Sequence, residues 1–303
     1  MPESVFLLRA PLPPGSPDET ARRLLEALSF RPAPGSRVLL KPNLVAPRNA
    51  RLSCTSPAVV RAVCAALLDL GLTITLADSP AFGSAAQVAR AAGLDEAVRS
   101  LGLKVRSLRR PAPLRLSFGG SIGLSRDALE QDAILNLPRL KAHAQMRVTA
   151  SVKNLFGCVT GCRKALAHAR IGDTGDLFAR LIAEVMLALP PVATILDAVV
   201  PMHRTGPIKG DPFPLGLLAA SADPVALDTA VYGLLGLSPE RVPLWAECRR
   251  RGLPGADPAH IVFPLEQPDA FDSSGFLLPD PLEPIEFKPL RLIRGRLKSL
   301  LGR

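Results

Sequence analysis

The sequence predicts an α/β fold: a layered, largely parallel central sheet with flanking helices and one small antiparallel hairpin. Two observations carry the prediction. Short aliphatic runs alternate with longer segments in which apolar residues recur every three to four positions, the pattern of repeated strand–helix units. Hydrophobic residues make up 48% of the 303-residue chain and charged residues 21%, enough for a sizeable buried core. Aromatics are only 4%, so that core rests on Leu, Val, Ile and Ala.

Residues 4–10 read as a first strand, and after a Pro-rich turn Asp18 precedes an amphipathic helix, TARRLLEAL. The strand Arg37–Leu40 runs into Lys41-Pro42-Asn43. A proline cannot donate to a ladder, which puts Lys41 and Asn43 at the carboxyl end of that strand, where ligands of open α/β sheets collect. Ser56-Pro57 opens a helix holding Cys64 in its apolar pattern, whereas Cys54 lies in the preceding loop. A strand over 73–77 ends at Asp78, expected to cap the next helix, with a ribose or metal contact as the alternative, and residues 85–100 are helical with a break at Gly93. Residues 104–108 read as a short strand, and strands over 114–117 and 121–124 pair through Gly119-Gly120 as an antiparallel hairpin. Residues 133–137 form a strand delivering Pro138-Arg139-Leu140-Lys141, and 146–156 carry apolar residues at helical spacing, interrupted by Lys153 and Asn154.

Further on, a helix over 174–189, capped by Asp173 or Thr174, leads to a strand over 192–200, and a loop over 201–214 carries His203, Arg204 and Lys209. A buried strand over 215–220 precedes a helix opened by Asp223-Pro224, then a helix over 239–250 and a short strand near 260–265. Residues 1–285 are expected to form a single α/β domain, with a candidate insertion near 104–125, and 286–303 a basic amphipathic tail.

The formal charge of +10 is concentrated in that tail: residues 287–303 hold six cations and no acid. Without them the charge is about +4, ordinary for a folded domain. No aromatic–basic interleaving marks a platform for single strands, so nucleic acid is not an expected partner. The tail's Leu290, Ile293, Leu297 and Leu300 recur among Arg291, Arg294 and Lys298, a pattern suited to an anionic membrane surface or to a protein contact. No apolar run approaches the length of a membrane span, and the N-terminal residues lack a secretory pattern, so the expected location is the cytoplasm. Five irregularly spaced cysteines argue against a disulfide framework.

The candidate chemistry stands out by composition. The chain has eight Lys against 29 Arg and only four Asn, yet Lys and Asn concentrate in residues 132–168 and in Lys41-Pro42-Asn43. Where Arg is the default cation, a Lys offers a compact ammonium that can lose its proton. Lys141, His143 and Lys153 are the candidate catalytic residues, and Lys41, Asn43, Asn136, Asn154 and Lys209 the candidate substrate-binding ones. Such donors suit a carboxylate or phosphate, and a Lys buried among other cations has its pKa lowered into the range of proton transfer. The alternative is a solvated basic face. Cys158, Cys162 and His168 form a candidate metal set, against which stands a tight turn of small residues, Gly-Cys-Val-Thr-Gly-Cys. No Walker A sequence occurs, and no G-x-G-x-x-G follows a strand.

Several segments together resemble domain-of-unknown-function family 362. They are Val38-Leu39-Leu40-Lys41-Pro42-Asn43, Asn136-Leu137-Pro138-Arg139-Leu140-Lys141-Ala142-His143, Lys153-Asn154-Leu155-Phe156-Gly157, Gly206-Pro207-Ile208-Lys209-Gly210 and residues 220–228, running in order from about residue 36 to 255. Many members of that family carry an attached two-cluster ferredoxin module, and this chain departs from them, since no such cysteine run occurs.

The expectation is an enzyme acting on a small anionic substrate, in redox chemistry with a separate ferredoxin-like electron carrier. Lys141 and Lys153 hold the anion, His143 exchanges protons and the asparagines orient. The alternatives are an accessory protein that binds a metal or iron–sulfur cluster through Cys158, Cys162 and His168, and a membrane-surface adaptor using the tail.

Overall fold

The computed structural model describes residues 2–10, 17–160, 167, 171 and 176–282. The first strand splits in two at Val5: β1 (Glu3–Ser4) and β2 (Phe6–Arg9). Helix α1 (Asp18–Ala27) buries Ala21, Leu24 and Leu25, and β3 (Arg37–Pro42) runs through the proline rather than stopping before it. A turn of helix, α2 (Ala50–Ser53), precedes α3 (Pro57–Asp69), which has proline in its first turn, and β4 (Thr73–Asp78) follows. Gly93, at φ +84°, separates α4 (Ala85–Ala92) from α5 (Leu94–Arg99). Asp78 does not cap α4. Ser84 does, accepting from the Gln87 amide while the Gln87 side chain accepts from the Ser84 amide.

After β5 (Arg106–Ser107), the expected hairpin forms from β6 (Pro111–Arg115) and β7 (Ser121–Ser125), and α6 (Arg126–Leu129) leads into β8 (Ala133–Leu137). Past Pro138 the chain continues as β9 (Arg139–His143) and turns back as β10 (Arg147–Thr149). The apolar run 146–156 is therefore not one helix. Arg147 takes φ +65°, Ala150 an extended φ of −139°, and only α7 (Ser151–Leu155) is α-helical before a 3-10 turn, Phe156–Cys158. Alternating Val148 and Ala150 satisfy a strand as well as a helix, and the pairing of Arg147 with His143 decides for the strand.

From residue 176 on, the described strands and α-helices are α8 (Leu177–Leu187), β11 (Val192–His203), β12 (Asp211–Pro212), β13 (Leu217–Ser221), α9 (Pro224–Leu234), α10 (Pro243–Arg250) and β14 (Ile261–Val262). Cys162, Lys164, His168, the expected caps Asp173 and Thr174 and the tail 287–303 lie outside the described residues.

In the main sheet β5, β4, β3, β8 and β11 are parallel neighbours, β13 runs antiparallel to β11, and β2 closes the far edge. β9 prolongs β8 alongside the far half of β11. Side chains alternate between two apolar layers. Leu39, Ile134 and Leu196 join the layer under α7, α8, α9 and α10, while Val38, Leu40, Leu135 and Ile195 join the layer under α1, α3, α4 and α5. One row on the first face is polar: Lys41 lies beside Asn136, and Asn136 beside Thr194. No described helix is long and apolar enough to cross a membrane.

Candidate functional site

The parallel strands bring their carboxyl ends to one edge, and the polar row ends there. Lys41, with no exposed surface, places its ammonium 2.8 Å from Asp78 Oδ1 at the end of the neighbouring strand. The other carboxylate oxygen of Asp78 accepts from the Leu44 amide at 2.9 Å, fixing the chain as it leaves β3. Gly157 packs flat on this pair. A methyl group added there would fall inside the contact distance of both Asp78 Oδ1 and Lys41 Nζ, so the close approach requires glycine.

Lys141 is built differently. Its ammonium donates to Asn43 Oδ1 and, at 2.6 Å, to the Ser53 carbonyl, both of them neutral oxygens. Asn43 Nδ2 donates to Asn154 Oδ1 at 2.8 Å, and Asn154 Nδ2 donates to Asn136 Oδ1, also at 2.8 Å. Asn136 Nδ2 ends the relay among the Ser151 carbonyl, Ser151 Oγ and Thr194 Oγ1 at 3.1–3.3 Å. Each amide accepts on oxygen and donates on nitrogen, so all three dipoles point the same way from the ammonium and reinforce one another. Burial pushes the Lys141 pKa down to about 7, with Arg139 and Lys153 adding repulsion and Cys54 and Asp78 opposing it. Cys54 beside it is pushed up by burial, against the pull of Lys141.

Arg139, two residues before Lys141 and not among the expected site residues, forms a buried ion pair with Asp197, whose oxygens also accept from the Ser56 amide at 2.8 Å and the Val199 amide at 3.3 Å. Its charge is therefore satisfied within the protein. His143 is buried, and its Nδ1 accepts from the Gln145 and Met146 amides at 3.2 Å, which leaves the proton of the neutral ring on Nε2. The Lys153 ammonium lies 5.7 Å from the ring centre of Phe156 and 5.5 Å from that of Phe178. Lys209 is exposed, in a loop whose Gly206 lies so close to the Ala142 carbonyl that a side chain would clash. Cys158 is buried in the apolar layer, while Cys162 and His168 lie outside the described residues. No group of three or more His, Cys, Asp or Glu side chains that could hold a metal ion occurs among the described residues.

Three participants of the network, Asp228, Ser53 and Thr55, have no role that the sequence assigns. Asp228 of α9 reaches the start of α7 and accepts from the amides of Ser151 at 2.5 Å and Val152 at 3.1 Å, and from the Tyr232 hydroxyl at 3.3 Å. It thus caps the short helix that carries Lys153 and Asn154. Burial raises its pKa to about 7 despite those three donors. A cavity of about 10 Å³, the size of one water, adjoins it between Tyr232, Trp245 and Cys248. Thr55 Oγ1 accepts from the Asn43 amide at 2.8 Å and donates to the Leu137 carbonyl at 2.6 Å, clamping the two strand ends together. The run Gly119-Gly120-Ser121-Ile122-Gly123 has the spacing of a nucleophile elbow, but it forms the turn and second strand of the hairpin, with Ser121 exposed.

Arranged this way, the residues offer a proton donor or acceptor poised near neutral pH. Its ammonium form has neutral partners, and those partners are held by a directional amide relay.

A family model described as a domain of unknown function (DUF362) matches residues 38–233. A thylakoid-associated protein of Synechocystis sp. is 39% identical over 305 residues, spanning 98% of this chain and 94% of that protein. Among solved structures, the lactate racemase apoprotein from Thermoanaerobacterium thermosaccharolyticum aligns over 74% of this chain and 55% of its own, with TM-score 0.43 and 13% identity. A protein from Thermotoga maritima aligns over 69% of this chain and 56% of its own, with TM-score 0.41 and 14% identity. The chain thus spans just over half the length of each of these two solved chains. The family match encloses Lys41, the whole Lys141–Asn43–Asn154–Asn136 relay and Asp228, and the chain belongs to the DUF362 family.

Proposed function

We propose that the protein is an enzyme that takes a small anion, a carboxylate or phosphate, at Lys141, with that lysine exchanging a proton during the reaction. The observation that carries this reading is the contrast between two buried lysines. Lys41 has a carboxylate at 2.8 Å, whereas the described partners of Lys141 are the neutral oxygens of Asn43 and Ser53. A buried ammonium without a counter-charge favours losing its proton or gaining an anion. Asn43, Asn154 and Asn136 are already engaged with one another, so in this reading they hold Lys141 rather than the substrate. Lys153, which contributes repulsion at Lys141, adds attraction for the same anion. His143, with its proton on Nε2, is the second acid–base group.

Binding of inorganic phosphate, acetate and oxalate, followed by calorimetry and by thermal shift, tests the reading. At least one anion should bind the native protein, and Lys141→Met should abolish that binding while the fold persists. Equal binding by Lys141→Met would end the proposal.

A second reading concerns where the protein works. The Synechocystis relative is described as thylakoid-associated, which favours a peripheral position at a membrane surface over the free cytoplasm. Cell fractionation with high-salt release distinguishes the two: a peripheral protein sediments with membranes at low salt and is released at high salt.

A further inference from the structure

We propose that the sheet's carboxyl-end face is the surface that docks on an anionic lipid bilayer, through Arg48, Arg51 and Lys209 around a protruding Phe82. The inference rests on the peripheral-membrane reading and names the face responsible.

Because β3, β4 and β11 are parallel, the loops that leave them all emerge at one edge. Contacts join these loops into one rim. The Phe82 amide donates to the Val45 carbonyl at 3.1 Å, and Gly83 lies against the Pro47 ring. Asn49, at φ +53°, donates its side-chain amide to the Ile208 carbonyl at 2.9 Å. The Ala144 amide donates to the Gly206 carbonyl at 3.3 Å, which ties the third loop to β9. The rim is therefore held by backbone and amide contacts, and its long side chains remain available.

Its charge is one-sided. Residues 43–56, 79–84 and 203–210 contain Arg48, Arg51, Arg204 and Lys209 and no Asp or Glu. Arg204 is matched by Asp211 at 3.3 Å. Arg48, Arg51 and Lys209 are exposed, and no salt bridge involving them occurs among the described residues. Phe82 stands 44% exposed, a large apolar ring between cationic loops. Cations that meet lipid headgroups around an aromatic side chain that enters the acyl boundary are the two elements of interfacial binding. A nucleic acid fits this face less well, because Phe82 is the one Phe, Tyr or Trp in the three loops, His203 is buried, and no stacking row is present. The same edge carries Asn43 and Ser53, the partners of Lys141, so docking would turn the proposed anion site toward the membrane.

The test is co-sedimentation of the full chain with vesicles of phosphatidylcholine mixed with phosphatidylglycerol, and with phosphatidylcholine alone, at low and high salt. The native protein should bind the anionic vesicles and be released by salt. With each cation near the surface worth about fivefold in affinity, Arg48→Gln/Arg51→Gln/Lys209→Gln should bind about 100-fold more weakly. Phe82→Ser should weaken binding about tenfold at low salt, with the cationic side chains intact. All four side chains are exposed, so circular dichroism should report an unchanged fold. A chain lacking residues 287–303 should keep most of its binding. If the triple variant binds normally and only the truncation abolishes binding, the rim proposal is overturned while the peripheral reading survives. If the native protein ignores anionic vesicles, both are overturned. If the triple variant loses affinity for duplex DNA but not for vesicles, the face belongs to a different partner and the proposal is overturned.

Discussion

Lys141 donates its ammonium proton to the side-chain oxygen of Asn43, and that one contact orients three amides in sequence toward the middle of the sheet. The arrangement makes the protonation of Lys141 a property of the whole network. Loss of the proton removes the charge that aligns Asn43, Asn154 and Asn136.

The first prediction is a pH dependence of stability. The Lys141 pKa falls from 10.5 to about 7 on folding, so between those values the unfolded chain binds more protons than the folded one. Lys141 therefore contributes stability that is fully present above about 10.5 and is lost as pH falls through about 7. Over that window stability should climb with pH by at most about 1.4 kcal/mol per unit from this group. Urea denaturation of the anion-free protein should show the climb, and Lys141→Met should flatten it. A slope unchanged in that variant would assign the titration elsewhere.

The same pH range bears on Asp228 with the opposite sign. Its pKa rises from 3.8 to about 7 on folding, so the folded state retains a proton that the unfolded state has released. Its contribution is present below about 3.8 and is lost as pH rises through about 7. Asp228→Asn should remove this fall between about pH 4 and 7. It should also cost about 1–3 kcal/mol at low pH, because one of the Ser151 and Val152 amides loses its acceptor. Together with Lys141, the native protein is expected to show a stability minimum near pH 7 from these two groups. Denaturation series of the two single variants separate the limbs.

Composition alone makes part of this site legible. In an arginine-rich chain, Lys41, Lys141, Asn43, Asn136 and Asn154 stand out as residues of unusual type, and all five lie in the connected cluster at the strand ends. The placement of Lys41 and Asn43 near a strand end follows from Pro42, and the alternation of strand and helix implies the parallel sheet. The long-range partners leave no such trace. Asp78 reads locally as a helix cap because Ser79-Pro80 and a Gly83-Ser84 turn lead from it into a helix, yet its partner is a lysine one strand away. Asp228 lies in a helical pattern with nothing nearby to mark it as the cap of another helix. Nor does spacing reveal that Val148 belongs to a strand, because that depends on the returning register of Arg147 with His143. Lys209 illustrates the converse, since its family-like loop is fixed against Ala142 but its side chain faces outward.

Gly157 offers a steric test of the strand-end cluster. Alanine there would drive a methyl into Asp78 Oδ1 and Lys41 Nζ, neither of which can withdraw without unpairing the other. Gly157→Ala should cost about 1–3 kcal/mol, the usual range for overpacking a dense interior. Equilibrium denaturation measures it, and a cost within experimental error would mean that the 3-10 turn can move away from the pair.

The last prediction asks whether the Lys41–Asp78 pair is there for stability. Both side chains are buried, and removing one partner leaves an uncompensated charge, so Lys41→Met and Asp78→Leu should each destabilise by about 3–5 kcal/mol. Replacing both removes both buried charges, and the double variant should recover most of that loss, although the Leu44 amide then lacks the acceptor it has in Asp78. A double-mutant cycle in urea gives the coupling directly. If the double variant is nearly as stable as the native protein but no longer binds the anion that Lys141 takes, the pair serves to place Asn43 and the Lys141 pocket rather than to hold the fold. If the two single losses simply add, the pair is not coupled and the ion-pair account of Lys41 fails.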